Sequence, residues 1–185
     1  MLQFTTLQSD DEIMQLLALQ AKNQARNVSE EVARNQGFVT VVHNFDLLKR
    51  MNEAYPQIIA KVDDKLVGYA IVMPKSFRKE ILVLDPMFGM IEGLSMNGKP
   101  LIQTPYYVMG QICVAEEVRG MGVFDGLYAK HKELMAKEFE VVITEIALRN
   151  TRSMAAHKRV GFETIHEYFD ESNNEDWAVV AWRFF

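Results

Sequence analysis

The chain has 185 residues and a mass of 21.3 kDa, a size that suits one domain. Its net charge of -5 argues against a nucleic-acid-binding protein, because such proteins usually carry a basic face. No apolar run approaches the roughly 18 residues of a membrane span, no signal peptide follows Met1 and Cys113 is the only cysteine. We therefore expect a cytoplasmic protein without disulfides, membrane contact or a nucleic-acid partner.

The first half of the chain predicts helices followed by a hairpin. Ser9 precedes three acidic residues and an apolar pattern of helical spacing, which predicts a capped helix over Asp10 to Asn23. Asp63-Asp64-Lys65 separates two apolar runs and indicates the hairpin turn. The elements predicted after the first helix are a helix from Ser29 that ends before Gly37, a strand over Phe38 to Val42, a helix over Phe45 to Glu53, and strands over Gln57 to Val62 and Leu66 to Met73.

The stretch from Pro74 to Pro105 has a different composition, rich in proline and methionine. A helix is predicted either around Phe77–Leu84 or around Asp85–Leu94. The Met- and Phe-rich part over residues 87–96 suits an adaptable pocket wall, a piece of core or a dimer contact.

The second half alternates strands and helices and closes with two strands. This order favours a mixed α/β sheet over an all-parallel sheet or a sandwich. The predicted elements are a strand over Tyr106 to Val114, a helix over Phe124 to Phe139, a strand over Glu140 to Leu148, a helix over Ser153 to Val160, and strands over Phe162 to Phe169 and Trp177 to Phe185 around a polar loop over Asp170 to Asp176.

A glycine-containing turn joins the strand that ends at Val114 to the helix that follows. Amides at a helix N-terminus and the helix dipole favour an anion, and glycines let the backbone approach a bulky one. A diphosphate group is therefore the expected ligand of this turn. A Rossmann fingerprint would need glycine where Asp125 stands, and a P-loop would need Gly-Lys-Ser/Thr, so the spacing excludes both.

This turn resembles the acetyl-CoA-binding motif of the Gcn5-related N-acetyltransferase (GNAT) superfamily. That motif is Arg/Gln-x-x-Gly-x-Gly/Ala after a strand that ends in Val, and here Arg119-Gly120-Met121-Gly122 follows Ile112-Cys113-Val114. Phe124 departs from the small residue that usually ends the motif. A second block, Asn150 and Ser153 followed by Gly161-Phe162, is similar to the strand–Asn–helix–Gly-Phe signature of the same superfamily.

The resemblance implies a fold, a co-substrate and a set of contacts. The fold would be one N-acetyltransferase domain over residues 1–185, a mixed α/β (α+β) fold with a mostly antiparallel sheet of about seven strands, flanked by helices, in which two strands splay apart. Residues 74–105 would be a variable insertion on the substrate side. Acetyl-CoA would be the co-substrate, and no metal is implied. The implied cofactor-binding residues are Ile112, Cys113, Val114, Arg119, Gly120, Met121, Gly122, Val123, Phe124, Asn150 and Ser153.

The resemblance also implies two catalytic residues. Glu145 stands five residues before Asn150, where family members that acetylate protein N-termini carry a base. A carboxyl in an apolar strand has a raised pKa, which suits a base that works near neutrality. His157 stands where the usual acid is a tyrosine, and its imidazole could protonate a thiolate. For Glu145 the alternatives are an acid that faces solvent from an edge of the strand, or one that pairs with Arg149 or Arg152. For His157 the alternative is a polar helix residue near solvent.

Other residues are weaker candidates for the chemistry. Tyr128 or Tyr168 could supply the acid instead of His157. Cys113 could be a nucleophile, although a cysteine inside a strand is more often a small buried hydrophobe. His43 and Glu92 are further candidates for the base.

The leading functional hypothesis is an acetyl-CoA-dependent N-acetyltransferase in which a primary amine of a small molecule or peptide attacks the thioester directly. One alternative is a CoA-binding module without catalysis, which the histidine at position 157 in place of the usual tyrosine leaves open. Another is an acyltransferase for longer acyl chains, with Phe124 and the methionines shaping the channel. The sequence leaves open whether the chain forms a homodimer.

Overall fold

The computed structural model describes residues 1–24, 39, 41–81, 84–171 and 174–185, and within them lie five helices and nine strands. The helices are α1 (Asp10–Lys22), α2 (Phe45–Ala54), α3 (Asp85–Gly93), α4 (Val123–Met135) and α5 (Thr151–Val160). The strands are β1 (Leu2–Thr6), β2 (Ile58–Val62), β3 (Lys65–Met73), β4 (Ser95–Met96), β5 (Lys99–Pro100), β6 (Tyr106–Val114), β7 (Val141–Ala147), β8 (Glu163–Asp170) and β9 (Glu175–Arg183).

Seven of the strands form one mixed sheet in the order β1-β2-β3-β6-β7-β9-β8. The pairs β1–β2, β2–β3, β7–β9 and β8–β9 are antiparallel, and β6 and β7 run parallel. The parallel register ends at Val108↔Ile143, although β6 continues to Val114 and β7 to Ala147. The predicted fold class, a mixed and mostly antiparallel sheet of seven strands flanked by helices, is confirmed.

The chain divides into two compact units. The first comprises Met1–Val72 and Met109–Leu134, and the second comprises Met73–Val108 and Met135–Phe185. Strand β6 passes from the second unit into the first between Val108 and Met109. Whether residues 1–185 act as one domain stays a prediction.

In the first unit, the predicted helices and hairpin form where their local signals stand. The Ser9 hydroxyl accepts the Glu12 N–H at 3.2 Å and starts α1. Asp63 adopts a positive φ of 53° in the turn between β2 and β3. The predicted helix after Ser29 lies outside the described residues.

Two features of the first unit differ from the prediction. Strand β1 was not predicted, and its register with β2 runs from Leu2↔Val62 to Thr6↔Ile58. The strand predicted over Phe38 to Val42 is wrong at its end, because Val41 and Val42 lie outside any strand. Val39 forms an isolated bridge to Gln24, and positions 38 and 40 lie outside the described residues.

In the second unit, one of the two alternative helices predicted for the proline-rich connection is present. Helix α3 covers Asp85–Gly93, with Pro86 in its first turn, where a missing N–H costs nothing. The alternative over Phe77–Leu84 is wrong for its described residues, 77–81 and 84, which hold no α-helix; a 3-10 turn covers Lys75–Phe77. Met87, Phe88 and Met96 are buried, which favours the core interpretation of the Met- and Phe-rich part.

Helix α4 ends earlier than predicted, and the closing hairpin is tighter. The N–H groups of Glu138 and Phe139 both bond the Met135 carbonyl, so the chain leaves the helix there rather than at Phe139. Strands β8 and β9 pair out to Asp170↔Glu175, so the expected polar loop is partly strand.

Candidate active site

The glycine turn lies in the first unit, directly after β6. The Ala115 N–H bonds the Val67 carbonyl of β3 at 2.8 Å and fixes the end of β6. Gly120 and Gly122 have φ of 79° and 77°, a backbone conformation that is unfavourable for residues with a side chain. A Cβ added at either position would meet nothing within 4 Å. The two glycines therefore supply backbone shape beside open space.

Helix α4 begins at this turn and presents its amides there. Its first backbone bond runs from the Gly126 N–H to the Gly122 carbonyl at 3.0 Å. The dipole of the 13-residue helix adds positive potential at this end. Backbone shape, space and potential together fit a diphosphate.

Gly126 has a packing role instead. A Cβ at this position would lie 2.0 Å from Cζ of Phe4 in β1, so no side chain is tolerated without moving that ring. Gly126, which lies one position after the third glycine of a Rossmann fingerprint, therefore allows α4 to pack closely against β1.

Arg119 is held in place by oxygen atoms of the first unit. Its Nε donates to the Val114 carbonyl at 3.3 Å and its Nη2 donates to Asn23 Oδ1, also at 3.3 Å. Asn23 caps the C-terminus of α1. The guanidinium therefore links the glycine turn to the ends of β6 and α1.

Phe124 and Cys113 both serve packing in the first unit. The Phe124 ring lies 5.1 Å from the ring of Tyr128, which is fully buried. Burial raises the pKa of the Cys113 thiol to about 12, so it carries no thiolate near neutrality. The burial of Cys113 and its raised pKa favour packing over the nucleophile alternative.

Asn150 and Ser153 lie in the second unit, at the start of α5. The Asn150 side-chain oxygen accepts the Ser153 N–H at 3.1 Å and caps the helix. The cap explains why asparagine stands between β7 and α5. A contact of either residue with a cofactor stays a prediction.

Glu145 of β7 lies in the second unit with a tyrosine as its partner. The Tyr168 hydroxyl of β8 donates to Glu145 Oε1 at 3.1 Å, across the intervening strand β9. Burial raises the Glu145 pKa to about 7, the tyrosine hydrogen bond opposes this rise, and the charge of Asp170 adds to it. The predicted raised pKa is confirmed. Arg149, one of the two arginines that the alternative would pair with Glu145, forms an ion pair with Glu175.

His157 is buried in the second unit, not solvent-exposed as its bland alternative expected. Its side chain is 2% exposed and its ring packs edge-on against Phe162 at 5.0 Å. Nδ1 lies 2.8 Å from the Ser153 carbonyl, which can only accept, so Nδ1 carries the proton. Burial lowers the His157 pKa to about 4, and the ring is neutral near pH 7.

Glu92, one of the weaker base candidates, is engaged by two cations of the second unit. Arg78 Nη1 lies 3.2 Å and Lys75 Nζ 3.8 Å from its carboxylate oxygens. Arg78 Nε also lies 2.6 Å from Asp85 Oδ1. These ion pairs tie α3 to the segment that precedes it, which explains Glu92 without a catalytic role.

Across the described ranges, no group of three or more His, Cys, Asp or Glu side chains is placed to hold a metal ion. None of the helices in those ranges has the length and apolar character that crossing a membrane requires.

Solved structures share this fold at low sequence identity. One neighbour is the ribosomal-protein-S18-alanine N-acetyltransferase from Escherichia coli, with 17% identity, a TM-score of 0.59, and coverage of 100% of this chain and 94% of that one. The NatC complex bound to Gag peptide and CoA has 11% identity, a TM-score of 0.67 and 98% coverage of each chain. The yncA protein from Salmonella typhimurium, solved with its cofactor acetyl-CoA, has 12% identity, a TM-score of 0.63, and coverage of 100% and 94%.

A search of curated proteins finds no match. The model of the Acetyltransferase (GNAT) family, in contrast, matches residues 22–162, which is more than half of the chain and includes both the glycine turn and the Asn150 block. The chain therefore belongs to the GNAT acetyltransferase family.

Proposed function

We propose that this protein is an acetyl-CoA-dependent N-acetyltransferase that acts on a primary amine of a small molecule or peptide. The observation that supports the proposal most is the Glu145 carboxyl, which burial brings to a pKa of about 7 and which the Tyr168 hydroxyl orients at 3.1 Å. A carboxylate with that pKa accepts a proton from an ammonium near neutral pH and can release it again afterwards.

Acetyl-CoA would supply the activated acetyl group as a thioester. The open glycine turn and the amides at the start of α4 suit its diphosphate. The proposed binding residues are Ile112, Cys113, Val114, Arg119, Gly120, Met121, Gly122, Val123, Phe124, Asn150 and Ser153.

His157 is the second proposed catalytic residue. Its Nδ1 proton is engaged by the Ser153 carbonyl, so the neutral ring presents Nε2 without a proton. Donation to a departing thiolate from His157 therefore requires a change of tautomer. Tyr168 is the alternative donor, because its hydroxyl is hydrogen-bonded to Glu145. Once Glu145 has taken the proton of the amine, Tyr168 can give its own proton to the thiolate and regain one from the Glu145 carboxyl.

The decisive variant is Glu145→Gln, compared with Glu167→Gln on the exposed part of β8 as its matched control. CoA release is measured with acetyl-CoA and a panel of peptide and small-molecule amines. We expect Glu145→Gln to lower kcat/KM by about 100-fold or more, since a positioned general base contributes about that much. Acetyl-CoA affinity, measured by calorimetry, should stay within about twofold in both variants.

Turnover at the wild-type rate by Glu145→Gln would remove the carboxylate from the chemistry. Saturable acetyl-CoA binding without turnover of any amine would contradict the enzyme and favour a CoA-binding module.

A further inference from the structure

Four polar side chains form a buried network in the first unit. Gln20 of α1, His43 before α2, Tyr69 of β3 and Gln111 of β6 are exposed by 1%, 3%, 0% and 7%. None of the four carries a charge when the imidazole is neutral, and burial lowers the His43 pKa to about 4. The network is therefore neutral near pH 7.

Backbone groups determine which way both glutamine amides point. The His43 backbone N–H donates to Gln20 Oε1 at 3.0 Å, so the other end of that amide is the donor Nε2. Gln111 donates through Nε2 to the Val41 carbonyl at 2.9 Å, so its Oε1 faces the network. Gln111 Oε1 accepts from the Tyr69 hydroxyl at 2.6 Å and from Gln20 Nε2 at 2.9 Å.

The second Gln20 amide hydrogen then selects the His43 tautomer. Gln20 Nε2 lies 2.9 Å from His43 Nδ1 and can only donate, so Nδ1 accepts. The proton of the neutral ring must therefore sit on Nε2. This tautomer is the wrong one for a base at Nε2, so His43 is no longer a candidate for that role.

The Nε2–H of His43 is a buried donor that finds no acceptor within the described part of the chain. Buried donors without a partner are rare in folded proteins, and the other polar atoms of this network are satisfied. We infer that His43 Nε2–H is a binding group that donates a hydrogen bond to a neutral, carbonyl-type oxygen of a bound substrate.

The chemistry of the network restricts the ligand. A protonated Nε2 repels an ammonium, and a neutral ring offers no charge to a carboxylate or phosphate. An amide or thioester carbonyl oxygen needs one donor and no charge, which is what His43 presents. Resting on the proposed function, the inference leaves two sources for this oxygen: acetyl-CoA, because Gln111 directly precedes Ile112, or the amine acceptor.

The test compares His43→Asn with His43→Gln. The Asn side-chain oxygen keeps an acceptor near the position of Nδ1 but has nothing at Nε2, whereas the Gln amide reaches the position of Nε2 with a donor. We expect His43→Asn to raise the KM of one substrate about three- to tenfold, as loss of one neutral hydrogen bond does, and His43→Gln to recover part of it. The substrate whose KM rises identifies the source of the oxygen.

A measurement on the wild-type protein keeps the inference testable if a variant fails to fold. The chain has four histidines, so imidazole ¹⁵N spectra are simple. We expect His43 to show the Nε2–H form from pH 6 to 8, and its Nε2 proton to shift when acetyl-CoA or the acceptor is added, each alone and without turnover.

An Nδ1–H tautomer would overturn the inference. An Nε2 proton whose chemical shift is unchanged by either substrate would overturn it as well, and would indicate that the Nε2–H group donates to an internal water molecule. Unchanged KM values for both substrates in a folded His43→Asn protein would overturn it as well. Failure of the proposed function is a separate result, because it appears as absent turnover by the wild-type protein.

Discussion

At the scale of single residues, two neighbours act on Glu145 in opposite directions. The Tyr168 hydrogen bond stabilises the carboxylate and lowers its pKa, while the Asp170 charge disfavours the carboxylate and raises it. Both neighbours belong to β8, two positions apart, on the far side of β9. Tyr168 is thus a positioning residue for the proposed base.

These opposing effects predict two opposite shifts of the pH–rate profile. A base must be ionised, so kcat/KM should rise with pH to a plateau, with a midpoint near the Glu145 pKa of about 7. Tyr168→Phe should move the midpoint up, and Asp170→Asn should move it down. The shift is measured against wild-type protein with the same amine, which cancels the ionisation of the amine itself.

Midpoints that move together, or that stay in place, would contradict Glu145 as the titrating base. Acetyl-CoA affinity at pH 6 and pH 8 serves as the control that binding is unaffected.

At the scale of secondary-structure elements, the glycine turn is where backbone geometry and proposed binding coincide. The chain contains a second turn of the same kind, Asn97–Gly98 between β4 and β5, in which Gly98 has φ of 78° and also has open space beside it. Equal strain at two sites makes Gly98 a matched control for Gly122.

We predict that Gly122→Asp weakens acetyl-CoA binding at least about tenfold, because it places a carboxylate where a diphosphate is expected. Both variants should lower the free energy of unfolding by about 1–2 kcal/mol, the cost of a side chain at positive φ. Gly98→Asp should leave acetyl-CoA affinity unchanged. Calorimetric titration and thermal unfolding of both variants make the comparison. Equal affinities of the two variants would refute the assignment of the turn.

The elements that the sequence predicts are those with local signals. Ser9, the Asp63 turn and the Asn150 cap each act within a few residues, and the elements that they delimit are right. Strand β1 was missed because its partner, β2, starts more than fifty residues later in the chain. The Glu145–Tyr168 and Gln20–Gln111 contacts join residues 23 and 91 positions apart, so no local pattern could show them. The family resemblance supplied Glu145, but not its partner.

At the scale of the whole molecule, buried imidazoles set the response to acid. Burial lowers the pKa of His43, His131 and His157 to between about 3 and about 4. A histidine with a lowered folded pKa stabilises the protein above its unfolded pKa of about 6.5, and this stabilisation is lost as the pH falls toward the folded value. Glu145 works the other way, since its raised pKa favours the folded state below about pH 7.

The three histidines destabilise the folded state in acid, whereas Glu145 alone has the opposite effect. We therefore predict that Tm falls between pH 6.5 and pH 4 and changes little from pH 6.5 to pH 8. Thermal unfolding across this range is followed at low and high salt, because the net charge changes sign near the pI of 5.4. A Tm that holds constant down to pH 4 in high salt would show that these imidazoles are not buried in the neutral form.

The buried Cys113 also decides how the protein can be assayed. It is the only thiol of the chain, and a buried cysteine whose pKa is raised to about 12 does not react with thiol-specific dyes at neutral pH. Such a dye will therefore register liberated coenzyme with no background from the folded enzyme. Because the thiol is unreactive in the folded protein, the rate at which the dye labels Cys113 in dilute denaturant reports how often β6 opens.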